Sequence, residues 1–228
     1  MKKYSNWLFL ALLVHLTACF ELREEIELQT NGSGKYYLLL DMSQSKSTID
    51  LAMNMQKNKG EDNLKQLNFS IDSTFSKSVR RFNGMKGISN AKDSVNKTDY
   101  IFGISFNFSD IASLNNAIVQ LNEERNGTYT TIFDLAKNTF SRTNQFYLAY
   151  INENLQQNFT TNPEKVAQYK NLLQTAQYTY IVKVQGKIKK FSNEKAELDY
   201  TKKALRLSVP LTQALEGKAV LENEIKFK

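Results

Sequence analysis

The chain has 228 residues, a hydrophobic content of 41% that is ordinary for a globular protein, and a formal net charge of +7 at pH 7. Its only histidine, His15, and its only cysteine, Cys19, both lie within the first nineteen residues. If His15 is removed with that segment and Cys19 is removed or modified, the mature chain has no histidine and no free cysteine. It then cannot contain a Ser/His/Asp triad, a Cys/His pair, a histidine base or the usual zinc ligand sets.

The first nineteen residues have the pattern of an export signal. Lys2 and Lys3 precede an apolar run that extends from Trp7 to Leu16. A run of about ten apolar residues is too short to span roughly 30 Å of hydrocarbon, so we expect a cleaved segment. An uncleaved N-terminal anchor is one alternative, and an ordinary secretory signal is another.

The run ends in four residues that resemble the bacterial lipobox: Leu16, Thr17, Ala18 and Cys19. The resemblance implies cleavage after Ala18 and acylation of Cys19. It therefore implies a removed signal at 1–18 and a lipid-anchored protein at 19–228. Stable attachment requires more than one acyl chain, and a triacylated Cys19 meets that requirement. Both alternatives to the lipobox leave the single cysteine unexplained.

The residue after the cysteine is Phe20. In Gram-negative sorting an aspartate at this place is the usual signal for inner-membrane retention, so the resemblance implies the outer membrane. We favour its periplasmic face. An acidic stretch that follows either signals export to the cell surface or forms the solvent face of a first strand: Glu21, Glu24, Glu25 and Glu27.

The charge of the mature chain is uneven. Loss of Lys2 and Lys3 lowers the net charge from +7 to +5, and residues 183–206 are rich in lysine. An envelope protein rarely meets nucleic acid, and no recognition helix or RNP-like signature is present, so we expect no nucleic-acid partner. Anionic lipid or polysaccharide is a plausible partner. We favour the alternative that these lysines lie on solvated strand faces, where they discourage edge-to-edge pairing.

The first half of the chain predicts two hairpins and three helices. Alternation predicts a strand at 20–29 and a second at 35–42, joined by a glycine-containing turn. This pair of strands begins directly after Cys19. Helices are predicted at 48–57 and 74–82. A hairpin at 88–95 and 100–108 places five large apolar residues on one face: Tyr100, Phe102, Ile104, Phe106 and Phe108. A helix capped by Ser109 or Asp110 extends to Asn122.

The second half predicts a strand at 128–135, continuing towards Arg142, and helices at 144–157 and from Asn162–Pro163 onwards. Three or four antiparallel strands follow, with a short helix after Pro210. We therefore predict an α+β fold, with a largely antiparallel curved sheet and helices packed on one side. Residues 19–228 form one domain in this interpretation, or two small lobes.

Few residues suggest chemistry. Four aspartates are candidates for a carboxylate site, but ordinary turns and caps account for all of them: Asp41, Asp50, Asp72 and Asp93. No DxDxDG calcium loop occurs. The segment 47–57 is rich in serine and lysine, but it has no hydrolase motif. Three methionines are either core residues or the lining of an adaptable pocket: Met42, Met53 and Met55.

The segment Cys19–Ser43 resembles the start of Gram-negative envelope lipoproteins of unknown function, which implies no activity. We predict a non-enzymatic, lipid-anchored binding or structural module with no catalytic, cofactor-binding or metal-binding residues. Its partners are the membrane, through acyl chains on Cys19, and an envelope protein, lipid or polysaccharide. The alternative is a carrier that encloses an apolar ligand between sheet and helices. A Ser/Lys-type hydrolase is the third hypothesis.

Overall fold

Two β-sheets form the framework of the protein. The computed structural model describes residues 20–47, 49–50, 76–120, 131–143, 148 and 173–228. The strands in these ranges are β1 (Glu21–Leu28), β2 (Gly34–Asp41), β3 (Ile88–Asn96), β4 (Ile101–Phe108), β5 (Phe133–Ala136), β6 (Thr139–Arg142), β7 (Gln177–Val184), β8 (Ile188–Phe191), β9 (Glu197–Leu198), β10 (Ala204–Pro210) and β11 (Asn223–Phe227). The large sheet has the strand order β3-β4-β2-β1-β7-β10-β9, and the small sheet has the order β5-β6-β11-β8.

Strand β1 lies at the centre of the large sheet. It pairs antiparallel with β2 from Glu21–Asp41 to Leu28–Gly34, and parallel with β7 from Glu21–Gln177 to Leu28–Val184. The turn between β1 and β2 needs the left-handed backbone that Gly32 adopts, with a φ of 84°. The predicted first hairpin is therefore confirmed.

The α+β class and the predominance of antiparallel pairs are confirmed, and three details differ from the predicted sheet. The expected strand at 128–142 is two short strands in its described part, because the chain reverses at Lys137 and Asn138, where Lys137 has a φ of 56°. The β1–β7 pair is parallel. The C-terminal strands divide between the sheets, with β8 and β11 in the small one.

Two helices have described bounds, α1 at Ile111–Gln120 and α2 at Leu211–Leu215. The predicted cap of α1 is confirmed, because Asp110 Oδ1 accepts a hydrogen bond of 2.7 Å from the backbone N–H of Ser113. This bond also lowers the pKa of Asp110. Residues 76–82 are helical, in agreement with the helix predicted at 74–82.

Other predicted helices lie largely or wholly outside the described residues. These are 48–57, 144–157 and the helix that starts at Asn162–Pro163.

One hydrophobic core cluster contains residues of both sheets and both helices. The five apolar residues predicted for one face of β4 and its preceding turn are all buried. Phe106 stacks on Tyr36 with ring centroids 5.1 Å apart and meets the edge of Phe82 at 4.9 Å. Phe133 stacks on Phe140 at 5.6 Å and on Tyr180 at 6.3 Å. These aromatic rings therefore pack against one another within the core.

A buried ion pair connects the two sheets. Arg142 of β6 donates from Nη1 to Oε2 of Glu24 in β1 over 2.9 Å, and both side chains have an exposed fraction of 0%. Tyr36 donates to Glu24 Oε1 over 3.0 Å, and Tyr178 donates to Oε2. The same Nη1 also donates to the Tyr178 hydroxyl over 2.9 Å. The guanidinium carbon lies 4.5 Å from the centroid of the Tyr180 ring, a cation–π contact.

We expect Arg142→Met to lower the free energy of unfolding by about 3–5 kcal/mol, because it leaves the Glu24 carboxylate buried without its cation. Adding Glu24→Leu should restore part of that loss, because no buried charge then remains unpaired. Urea unfolding followed by circular dichroism measures both effects.

The matched control is Lys183→Met, which breaks the partly exposed pair between Lys183 and Glu25 on the other face of the same sheet. It should cost less than about 1 kcal/mol. Equal losses for Arg142→Met and Lys183→Met would contradict a structural role for the buried pair.

Candidate functional site

The start of β1 gives the large sheet two distinct ends. Phe20 is buried, its carbonyl oxygen accepts a hydrogen bond of 3.0 Å from Gln177 N–H, and β1 begins at the next residue. Cys19 and Ala18, the predicted lipidation and cleavage residues, lie outside the described part of the chain. We call the end next to Phe20 the proximal end, and the end with the β1–β2 turn the distal end. They are about 26 Å apart, since a strand rises about 3.3 Å per residue over the eight residues of β1.

The outer face of the large sheet has its charges largely matched. Glu21 contacts both Arg23 at 2.6 Å and Arg206 at 3.2 Å. Lys183 contacts Glu25 at 2.5 Å. Burial opposes the charge of Arg23 and Lys183, but the carboxylates outweigh it and raise the pKa of each. The acidic stretch of β1 is thus a strand with three carboxylates on its outer face, while Glu24 is buried.

A cleft of about 480 Å³ lies at the distal end. Its apolar floor comes from strand ends, and its polar groups come from the β1–β2 turn and the end of β7. The lining residues are Glu27, Leu28, Gln29, Ser33, Gly34, Lys35, Asn107, Phe108, Lys183, Val184 and Gln185. Lys183 Nζ lies 2.5 Å from Glu25 and 3.7 Å from Glu27, and Lys35 Nζ lies 4.5 Å from the centroid of the Tyr37 ring. The exposed lining of the cleft is mainly apolar, and Glu27, Lys35 and Lys183 contribute charged groups to it.

Seven exposed lysines lie beside this cleft and along the small sheet, and we call them the lysine cluster: Lys137, Lys187, Lys189, Lys190, Lys202, Lys203 and Lys226. Backbone hydrogen bonds bring their segments together, from Ile188 N–H to the Lys202 carbonyl at 2.7 Å and from Phe227 N–H to the Asn138 carbonyl at 2.9 Å. Within the described ranges, no carboxylate lies within ion-pairing distance of any of the seven.

A β-bulge concentrates three of these lysines. Lys190 of β8 lies directly opposite Lys226 of β11, and the register shifts between Lys226 and Phe227. Lys189 is the extra residue, because Ile188 pairs with Phe227. A bulge lets two residues of one strand oppose one residue of its partner. Three ammonium groups therefore share one short section of an otherwise regular sheet.

A rigid turn beside the lysine cluster presents an aromatic side chain to solvent. Tyr200 is 97% exposed. The Asp199 carboxylate accepts hydrogen bonds from Lys203 N–H at 2.8 Å, from Ala204 N–H at 2.9 Å and from the Thr201 hydroxyl. The Thr201 hydroxyl, together with these N–H groups, lowers the pKa of Asp199. Tyr200 is thus exposed on a turn that hydrogen bonds to Asp199 hold in place.

The carboxylates considered from the sequence do not come together as a site in the described residues. Asp41 Oδ1 accepts from the Ser43 N–H at 3.0 Å and from its hydroxyl at 2.6 Å, as a turn residue does. Asp93 accepts from the Ser76 hydroxyl at 3.0 Å. Asp72 and most of the segment 47–57 lie outside the described residues. The described part of the chain contains no cluster of three or more metal-ligating side chains.

Of the three methionines, Met42 belongs to the core, while Met53 and Met55 lie outside the described residues. None of the helices in the described ranges is long and apolar enough to cross a membrane.

Asp50 has a specific partner at the proximal end. The Tyr100 hydroxyl donates to Asp50 Oδ1 over 2.5 Å. Tyr100 itself has a φ of 54°, a strained backbone conformation for an aromatic residue. The hydrogen bond to Asp50, and secondarily burial, raise the pKa of Tyr100 to about 12. This contact explains Asp50 as a structural residue.

The raised pKa predicts a loss of stability in alkali. Because the unfolded tyrosine has a pKa of about 10, the contribution of Tyr100 is complete below pH 10 and disappears as the pH rises through about 12. We expect the difference in unfolding free energy between the wild type and Tyr100→Phe to shrink over this window. Tyr200→Phe, at an exposed side chain, is the control and should show no such change. A difference independent of pH would refute the assignment.

Comparisons with known proteins add little to these observations. No protein-family model matches the chain, and no curated protein matches it. Among solved structures, the chain is similar to the folded domain of the Mycobacterium tuberculosis protein LppM, determined by NMR. The alignment covers 93% of this chain and 91% of that one, at 8% sequence identity and a TM-score of 0.38. A likeness of this size carries no argument about ligand or function.

Proposed function

We propose that the chain is a lipid-anchored, non-enzymatic protein of the cell envelope whose distal end binds another envelope component. The anchor is Cys19, acylated after cleavage at Ala18, and the location is the periplasmic face of the outer membrane. The observation that carries this proposal is the distance in sequence between anchor and fold. Strand β1 begins at Glu21, two residues after Cys19.

Such a short connection leaves the domain little freedom to turn over. Phe20 is itself buried, so the chain between lipid and sheet is essentially one peptide unit. The proximal end therefore faces the bilayer, and the distal end extends about 26 Å away from it. The cleft and the lysine cluster then point towards the periplasm, where an envelope partner is accessible.

The absence of histidine and of a second cysteine from the mature chain supports a non-enzymatic role. A Ser/Lys hydrolase centred on 47–57 is the less favoured hypothesis, because that segment has no recognisable catalytic motif.

Acylation is tested with the full-length chain expressed in a Gram-negative host. We expect the intact mass of the purified protein to correspond to residues 19–228 plus three acyl chains, and the protein to sediment with outer membranes. Cys19→Ser should abolish the lipid mass, because the thiol is the acceptor.

A full-length mass without lipid would refute the anchor. A triacylated protein found in inner membranes would instead refute only the outer-membrane location. The two results separate the chemistry at Cys19 from the sorting that we infer from Phe20.

The carrier alternative depends on the cleft, where Leu28, Phe108 and Val184 contribute apolar surface. Against it, the aromatic side chains that would line an internal cavity pack against one another in the core. We therefore expect native mass spectrometry of the Cys19→Ser protein to show no co-purified lipid. A lipid bound at one molecule per chain would favour the carrier over the binding module.

A further inference from the structure

The lysine cluster destabilises the fold by charge repulsion, and no carboxylate of the described residues offsets it by an ion pair. Like charges directly opposite each other in a sheet are destabilising, and Lys190 lies directly opposite Lys226. The bulge adds Lys189 to the same place. On the outer face of the large sheet, by contrast, Arg23 and Lys183 each contact a carboxylate. Among the residues that the structure describes, cations are therefore paired on the outer face of the large sheet and lack carboxylate partners in the lysine cluster.

Protection of a sheet edge accounts for only part of this cluster. Strand β8 is an edge of the small sheet, and lysines on an edge strand discourage pairing with other chains. That explanation covers Lys189 and Lys190. It does not cover Lys226, because β11 lies between β6 and β8, nor does it cover Lys202 and Lys203 in the turn after β9.

The Tyr200 turn indicates that this region contacts a partner. A tyrosine that is 97% exposed on a turn fixed by Asp199 presents apolar surface at a low further loss of conformational freedom. Lys202 and Lys203 follow it directly. An aromatic ring beside unpaired ammonium groups offers both stacking and charge to the same ligand.

We propose that the lysine cluster and Tyr200 form a binding surface for a polyanionic polysaccharide that bears carboxylate or phosphate groups. This inference rests on the proposed function, because an envelope location makes such polymers available and nucleic acid rare. Lysine presents a compact point charge on a flexible stem, which suits charges that recur along a flexible polymer. A protein partner fits less well, because lysine is depleted at protein interfaces.

The distance from the anchor argues against the protein's own membrane as the partner. The turn with Lys202 and Lys203 lies at the distal end, where Val184 N–H donates to the Lys203 carbonyl, and this end is about 26 Å from the proximal end along β1. The Debye length is about 8 Å at physiological ionic strength, so lipid headgroups next to Cys19 exert little attraction on these lysines.

The test uses the full-length protein, purified in detergent, and measures its binding to immobilised alginate, a polyuronate, and to a phosphomannan. Neutral dextran is the polymer control. We expect binding to at least one polyanion, weakening linearly on a log–log plot as salt increases. The triple variant Lys190→Gln/Lys202→Gln/Lys226→Gln should bind at least about tenfold more weakly, because it removes three of the seven cations that release counterions on binding a polyanion. Tyr200→Ala should weaken binding about threefold or more.

The matched control removes the same net charge elsewhere. Lys77, Lys86 and Lys92 are exposed and lie on a helix, a turn and strand β3, away from the small sheet. The triple Gln variant at these positions should change binding less than twofold. Equal losses in the two triple variants would show unspecific attraction to a cationic protein and would overturn the proposal.

Two further results would also overturn it. One is no binding to either polyanion, and the other is binding to phosphatidylglycerol vesicles in place of the polymers. Circular dichroism of each variant confirms that it is folded. Cys19→Ser should bind the polyanion as the wild type does, so a failure of the polysaccharide proposal is distinguishable from a failure of the lipid anchor.

Discussion

The ion pair between Glu24 and Arg142 is the interaction on which the arrangement of the two sheets depends. It joins the central strand of the large sheet to an inner strand of the small one, with both side chains fully buried. A buried ion pair is a weak source of stability compared with apolar packing, but breaking it leaves an uncompensated charge. The pair, with Tyr36 and Tyr178 around it, therefore penalises any other packing of β6 against β1. We infer that its main effect is to select one arrangement of the sheets.

Local patterns were sufficient to predict the hairpins and the capped helix. Alternation predicts β1, β2 and β4 to within one or two residues, because each of these strands has one buried face. The same alternation places Glu24 on the apolar face with Ile26. The sequence alone does not show which cation compensates a buried carboxylate at that position. Arg142 lies more than one hundred residues away, and its position depends on the small sheet. The parallel pairing of β1 with β7 is equally non-local, so no short window of sequence contains it.

The candidate site also depends on contacts between distant segments, which no short stretch of sequence shows. The basic composition of 183–206 identifies most of the lysine cluster, but Lys137 and Lys226 join it only through the pairing of β6 and β8 with β11. Tyr200 looks like any other residue of a tyrosine-rich chain. One signal was available in the sequence, because Asp199 followed by Thr201 is typical of a fixed turn and makes the residue between them a candidate for exposure. The sequence alone also does not identify the proximal and distal ends, because they are defined by the burial of Phe20 and by the start of β1 at Glu21.

The distribution of charge along the molecule follows from these two ends. On the outer face of the large sheet, Glu21, Arg23 and Arg206 neutralise one another within a few ångströms, so their field is weak at a distance. The lysine cluster has no such compensation in the described residues, and its field extends into solvent. In the lipid-anchored protein that we propose, the domain cannot reorient freely, so a cationic surface is useful only on the side that the anchor leaves exposed. Lys202 and Lys203, whose ammonium groups pair with no carboxylate in the described residues, lie at the distal end, and this is the placement that our proposal of a periplasmic polyanion requires.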